Sequence, residues 1–345
     1  MITRPFRQNP ACLPPKKDEP ALHCAVRLGD HESIRRLCSE GADIDLPFDM
    51  RLDEPMGRNF LASPLMVAAG SGYGASLDTM RLLLDLGAKP LLNFGSGSIA
   101  RFAAAGLGWN YIPGGDAARL RLCLDLGCDP DETDDRGVTL LADATFWGDF
   151  DRVKVLIEAG ADALTRDKNG RTALFSVQSP KIARLLVDSG SNVDDQDDSK
   201  WHPLEQAIYN SSLDGVKALL SVGANVNATH DRGYTVFMSA VSTDRPSFEI
   251  MNALVESGCT PNAVTELGWN AFHAAICHSD IGSGDPNDVR VPIRSIFEYL
   301  LKLGVDINHK NNQGMTPLAM AKNDAEDAED DEVMAKVLLE LGAKD

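Results

Sequence analysis

Aromatic residues are scarce in this chain, at 6% of 345 positions. That scarcity argues against large sheets and for close packing of helices through small residues. No run approaches ~20 apolar residues, the length that would cross a membrane. The opening stretch, MITRPFRQNPACLPPKKDEP, also lacks the apolar centre of a secretory signal. Basic charge is short: 33 Lys+Arg against 51 Asp+Glu leave −18. A phosphate backbone would be repelled over most of such a surface, so nucleic acid is not an expected partner. Paired cysteines are missing too. The seven cysteines, at 12, 24, 38, 123, 128, 259 and 277, are odd in number and form no CxxC pair. This composition suits reduced thiols in the cytoplasm better than a disulfide framework or a zinc site.

Recognisable chemistry is thin. The seven histidines are scattered over different units; His273, Cys277 and His278 share a short helical stretch, but no metal site is expected there. GSGSIARFAAAG (95–106) is Gly-rich but has neither the Lys-Ser/Thr of a phosphate loop nor a strand before it. DPDETDDRG and DDQDDS miss the spacing of a calcium loop and read as turns, which Asp favours. No nucleophile–base set stands out, so no catalytic, cofactor-binding or metal residue is assigned.

What the chain has in quantity is one glycine in a recurring setting. SEGADID, DLGAKPL, DLGCDPD, EAGADAL, DSGSNVD, SVGANVN, ESGCTPN, KLGVDIN and ELGAKD each follow an apolar helical stretch. Their glycines are Gly41, Gly87, Gly127, Gly160, Gly190, Gly223, Gly258, Gly304 and Gly342. A second landmark opens each unit, at Pro20, Ser63, Ser98, Thr139, Thr172, His202, Thr235, Asn270 and Thr316. From Gly127 onward, each glycine precedes the next landmark by 12 residues. So constant a spacing implies a fixed local geometry. Ser or Thr caps a first helix, Gly ends a second in the left-handed region, and a short turn leads onward. One such pair cannot cover its own apolar side; a neighbouring pair must.

TPLAMAK (316–322), PALHCAVRLG (20–29), SPLMVAAGSG (63–72) and NAFHAAI (270–276) resemble the ankyrin repeat family, as do the tails RVKVLIEAGADAL and GVKALLSVGANVN. The third unit, SIARFAAAGLG, lacks the Thr-Pro, and only His23 and His273 hold the family's histidine position. The resemblance, covering roughly 20–345, implies an all-α solenoid of about nine helix-turn-helix units joined by short β-hairpin-like turns. On this reading residues 1–18 are a Pro-rich lead, and 19–345 form the repeat domain. Insertions fall at 46–62, 73–77, 108–116 (with Trp109 and Tyr111), 279–291 and the acidic 323–332.

The resemblance also implies a concave face. It would be lined by the residue before each landmark and by the last two residues of each first helix. These positions hold Val138, Arg171, Trp201, Tyr234, Trp269 and Met315, with Phe146, Trp147, Tyr209 and Asn210 on the helices. Arg136 and Arg232 flank the same turns. Trp, Tyr and Arg carry much of the energy at interfaces, whereas the bland alternative is that the row merely stacks on itself. The expectation is a monomeric, non-catalytic scaffold that binds another protein. A special case is an inhibitor or immunity-type partner of a basic protein. The alternative is an enzyme or small-ligand protein with a site built from the insertions.

Overall fold

The capping residues set where the helices begin. Ser63, Thr139, Thr235 and Thr316 each accept, through the side-chain oxygen, the backbone N–H three residues on. Second helices open likewise, at Asp30, Ser76, Asp149, Ser212 and Ser247. In a computed structural model of the chain, residues 19–49, 61–70, 76–92, 98–105, 116–243, 245–278, 292–324 and 329–344 are described. The lead 1–18, the 279–291 insertion, Trp109 and Tyr111 lie outside them, as does most of 46–62 and 108–116. The chain contacts divide it into two compact bodies, Met1–Lys168 and Asn169–Asp345.

The N-terminal body holds four helix pairs: α1 (Ala21–Leu28) and α2 (His31–Ser39), α3 (Pro64–Ala69) and α4 (Leu77–Asp85), α5 (Ile99–Ala105) and α6 (Ala117–Asp125), α7 (Leu140–Phe146) and α8 (Phe150–Glu158). First helices stack in the order α1, α3, α5, α7, and α6 lies on α8. Two-residue strands β1 (Phe48–Asp49) and β2 (Leu61–Ala62) pair antiparallel at the ends of the first long hairpin.

The C-terminal body opens with a 3₁₀ turn at Ala173–Ser176 and α9 (Pro180–Asp188). It continues with α10 (Pro203–Tyr209), α11 (Leu213–Ser221), α12 (Val236–Ser242) and α13 (Phe248–Glu256). The last two pairs are α14 (Ala271–His278) with α15 (Ile293–Lys302), and α16 (Pro317–Asp324) with α17 (Glu329–Glu340). Strands β3 (Thr229–His230) and β4 (Tyr234–Thr235) form one hairpin. Here α10, α12, α14 and α16 stack in order, as do α9, α11 and α13. The fifth pair departs from an ordinary first helix because its unit is short. Pro180 already occupies the first turn of α9, leaving room for only a tight 3₁₀ turn.

The apolar sides so joined are fully covered. Leu140, Leu141 and Val153 are buried in one body, and Ile182, Val216, Phe237, Met251, Phe272 and Phe297 in the other. Each such side chain contributes on the order of 2 kcal/mol. The glycine after each second helix takes the left-handed region, as at Gly223 with φ 90°, where a Cβ would be strained.

Polar rungs join neighbouring pairs. The residue four after the glycine accepts the N–H of the residue two after the next glycine: Asp45 from Lys89, Asp131 from Asp162, Asp194 from Asn225, Asn227 from Thr260 and Asn308 from Lys344, at 2.8–3.0 Å. Hairpin tips add backbone links, Lys168 N–H to Arg136 O, Asp198 to Asn169, Glu266 to Arg232 and Asn312 to Leu267. At Arg119 a longer bridge forms. Its Nη1 lies 3.2–3.4 Å from the carbonyl oxygens of Ala68, Ala69 and Gly70 at the end of α3, while its Nε donates to Asp116 at 3.0 Å. A cation at a helix C-terminus also meets the negative end of its dipole.

Candidate functional site

Within the C-terminal body, the residues ahead of the caps lie at successive hairpins. The hairpins that carry them are held by their own first residue. Asp197 Oδ1 accepts from the N–H groups of Ser199 and Trp201, and Asn311 Oδ1 from those of Gln313 and Met315. Thr265 Oγ1 accepts from Trp269. These turns fix Trp201, Trp269 and Met315 relative to the helices that follow.

The aromatic rings do not touch as one continuous row. Trp201 meets Tyr209 edge-on at 5.4 Å between centroids, and His230 at 6.1 Å. His230 in turn lies 5.2 Å from Tyr234. Trp269 stacks on His273 at 6.5 Å and 15°, and His273 meets His309 at 6.0 Å. Imidazoles therefore fill places between the expected aromatics, and the sequence reading had assigned neither His230 nor His309 to this face. Tyr209 is 59% exposed at the rim. Trp201, Tyr234, Trp269 and Met315 are half-buried. Tyr234 donates its hydroxyl to Ser242 Oγ at 2.8 Å, and burial pushes its pKa up to about 12.

Of the two flanking arginines, Arg171 is tied to the fold and Arg232 is exposed. Arg171 Nε donates to the buried Asp197 at 3.0 Å, its guanidinium 5.9 Å from the Phe175 ring centre. Arg232 takes a left-handed φ of 56° and sits 3.9 Å from Asp231.

Four residues after Trp201 the chain carries an acid at the fourth position of the repeat. The fourth position of a repeat holds His23 and His273, which donate Nε2–H to the carbonyls of Ala62 and Met315. Arg101 does the same in the third repeat, reaching Val138 O at 3.2 Å. Burial pulls the pKa of His23 and His273 below 6.5. In the sixth repeat this position is Glu205. Its Oε2 accepts His202 N–H at 3.0 Å, and its Oε1 accepts from His230 Nδ1 at 2.5 Å.

The N-terminal body carries its own pair of assigned aromatics. Phe146 and Trp147, 49% and 43% exposed, meet edge-on at 5.0 Å. Close by, Asp143 has its pKa raised by burial, an effect opposed by Arg152 and Arg101. Arg136 pairs with Asp134 at 3.2 Å, and Val138 is bonded to the same Asp134 through its N–H.

Among the described residues, no group of three or more His, Cys, Asp or Glu is placed to hold a metal ion. A shallow cavity of about 430 Å³ lies at Asn227, Thr229, Thr235, Thr260, Val264 and Thr265. No described helix is long and apolar enough to cross a membrane. No disulfide joins the six described cysteines.

Helix pairs that bury one another, with a row of side chains displayed at their hairpins, define an all-α repeat protein. The family model "Ankyrin repeats (3 copies)" matches residues 111–197, 148–230 and 204–290, and "Ankyrin repeat" matches 18–47. The chain belongs to the ankyrin repeat family. It is 24% identical over 178 residues to YahD of Escherichia coli (strain K12), named as an ankyrin repeat protein, covering 51% of this chain and 84% of that one. It is 28% identical over 176 residues to ankyrin repeat and SOCS box protein 3 of Bos taurus, covering 41% and 31%. With the B-cell lymphoma 3 protein homolog of Mus musculus it shares 27% over 181 residues, 50% and 37% of the two chains. The chain thus spans most of YahD but only about a third of the two mammalian relatives.

Proposed function

We propose that the chain is a non-catalytic binding protein, monomeric and cytoplasmic, that takes another protein on the hairpin face of residues 169–345. The observation that carries this reading is the run of ring contacts Tyr209–Trp201–His230–Tyr234 on one side of the body, with Tyr209 largely in solvent. Large rings that are already held in place lose little freedom when a partner covers them, which is why such residues dominate interface energies. Trp269 and Met315 extend the face, and Arg171 and Arg232 flank it. Phe146, Trp147, Arg136 and Val138 offer a second contact area of the same kind. Membership of a family built for protein–protein interaction supports the same reading. The decisive comparison is affinity capture with mass spectrometry from the native host, using the wild type, Trp201→Ala and Trp269→Ala alongside thermal melts. Partners lost from variants that melt normally support the face. Partners retained by both variants, or variants that collapse, overturn it in favour of rings that only stiffen the stack.

A further inference from the structure

Two repeat positions, in adjacent repeats, carry residues that pair with each other. The first hairpin position holds an oxygen side chain at Asp134, Asp197, Thr265 and Asn311, each turned back on its own hairpin. In the seventh repeat that position is His230. An imidazole cannot offer the two lone pairs of one oxygen to two N–H groups, and His230 turns instead to Glu205. Glu205 stands where His23 and His273 stand in other repeats. An acid thus stands where two other repeats hold histidine, a histidine stands where four others hold an oxygen side chain, and the two meet at 2.5 Å.

The Glu205 side chain is 1% exposed, and a carboxylate so buried must be hydrogen-bonded. His202 N–H and His230 Nδ1–H supply the bonds. Because a carboxylate only accepts, Nδ1 carries the hydrogen, so in the neutral form of the ring the lone pair lies on Nε2. That atom has no hydrogen-bond partner among the described residues and is not among the unpartnered atoms sealed from solvent. The other described histidines differ. His23, His31, His273 and His309 use Nε2 on Ala62, Thr79, Met315 and Gly268. His202 uses both nitrogens, on Asp194 O and Gln196.

We propose that Glu205 orients His230 so that Nε2 is the polar anchor of the Trp201–Tyr234 face, accepting a hydrogen bond from a lysine or arginine side chain of a basic partner segment. This rests on the protein-binding reading above. The rings of Trp201 and Tyr234 lie 6.1 and 5.2 Å from His230, and aromatic rings attract cations. A chain of net charge −18 draws a basic segment toward it.

Diethyl pyrocarbonate tests both halves at pH 7.5 on the full chain, read by peptide mapping. Nε2 attacks a carbonyl carbon of the reagent, an N–C bond forms as the C–O bond to ethyl carbonate breaks, and the Nδ1 proton passes through the buffer to that leaving group, which falls apart into carbon dioxide and ethanol. His230 is expected to react at least about fivefold faster than His23, His202, His273 and His309. Glu205→Gln should slow it severalfold. Equal rates in the wild type, a result that needs no variant to fold, overturn the orientation. Octalysine at fixed ionic strength is expected to protect His230 but not His31, and octaglutamate to protect neither. Fast reaction with no selective protection overturns the basic partner while leaving the protein-binding face standing, since that face fails only by the capture experiment.

Discussion

Asn227 Oδ1 accepts the backbone N–H of Thr260 at 2.8 Å, one repeat further along the chain. The same bond recurs from Asp194 to Asn225 and from Asn308 to Lys344. Asn227→Ala is expected to cost about 1 kcal/mol, the usual net value of one such bond. Urea melts should give that loss with an unchanged slope; a loss below about 0.3 kcal/mol would mean that water replaces the rung.

Two glycines with nearly the same backbone angle should respond differently to one methyl group. Gly258 and Gly268 have φ of 89° and 75°, but a Cβ on Gly258 meets nothing within 4 Å. On Gly268 it would fall 2.8 Å from the Asn312 nitrogen and 2.6 Å from its Oδ1. Gly258→Ala is expected to cost about 1 kcal/mol for the left-handed backbone alone. Gly268→Ala should cost clearly more, about 2–3 kcal/mol, because a hairpin tip must also move. Equal losses in denaturant would contradict the contact.

Arg119→Ala removes a guanidinium that touches three carbonyls at the end of α3 and is 13% exposed. A loss of about 2 kcal/mol is expected, as for hydrogen bonds made by a charged group. Arg119→Lys should recover little, since an ammonium lacks the planar fork. Hydrogen exchange at the end of α3 would localise the effect, and full rescue by Lys would refute it.

Acid should weaken the fold through two histidines. His23 and His273 are held below 6.5, first by burial. A lowered histidine pKa means the unfolded chain binds the proton more readily. Stability is therefore complete above pH 6.5 and falls as pH drops through 6.5 toward the folded value. Melts at pH 7.5 and 5.5 are expected to differ more for the wild type than for the double variant His23→Gln, His273→Gln. An equal difference would assign the effect to other groups.

Much of this arrangement is legible in the sequence. The glycine landmarks marked where second helices end, and the capping positions marked where first helices begin, because both depend on a few adjacent backbone groups. The bonds of His23 and His273 to Ala62 and Met315 reach across 39 and 42 residues, and the sequence marks only that both histidines share one repeat position. The imidazole between Trp201 and Tyr234 was not foreseen. It depends on a pairing across 25 residues, which no local pattern displays. A partial signal did exist: His230 stands at a hairpin position that holds Asp, Thr or Asn in neighbouring repeats, and Glu205 is the one acid at its repeat position. Arg171 shows the converse. Its place at the hairpin was read from spacing, but its bond to Asp197 reflects the neighbouring turn, so its charge is already answered inside the body.

The pairing between Glu205 and His230 bears on how such a chain can be rearranged. A gene segment encoding the sixth repeat, copied elsewhere in the array without its successor, would leave one oxygen of the Glu205 carboxylate, beyond the His202 N–H that the repeat itself supplies, facing a turn that offers oxygen rather than imidazole. Inheritance, recombination and engineering must therefore carry these two modules as a couple, whatever freedom the rest of the array has to be shuffled.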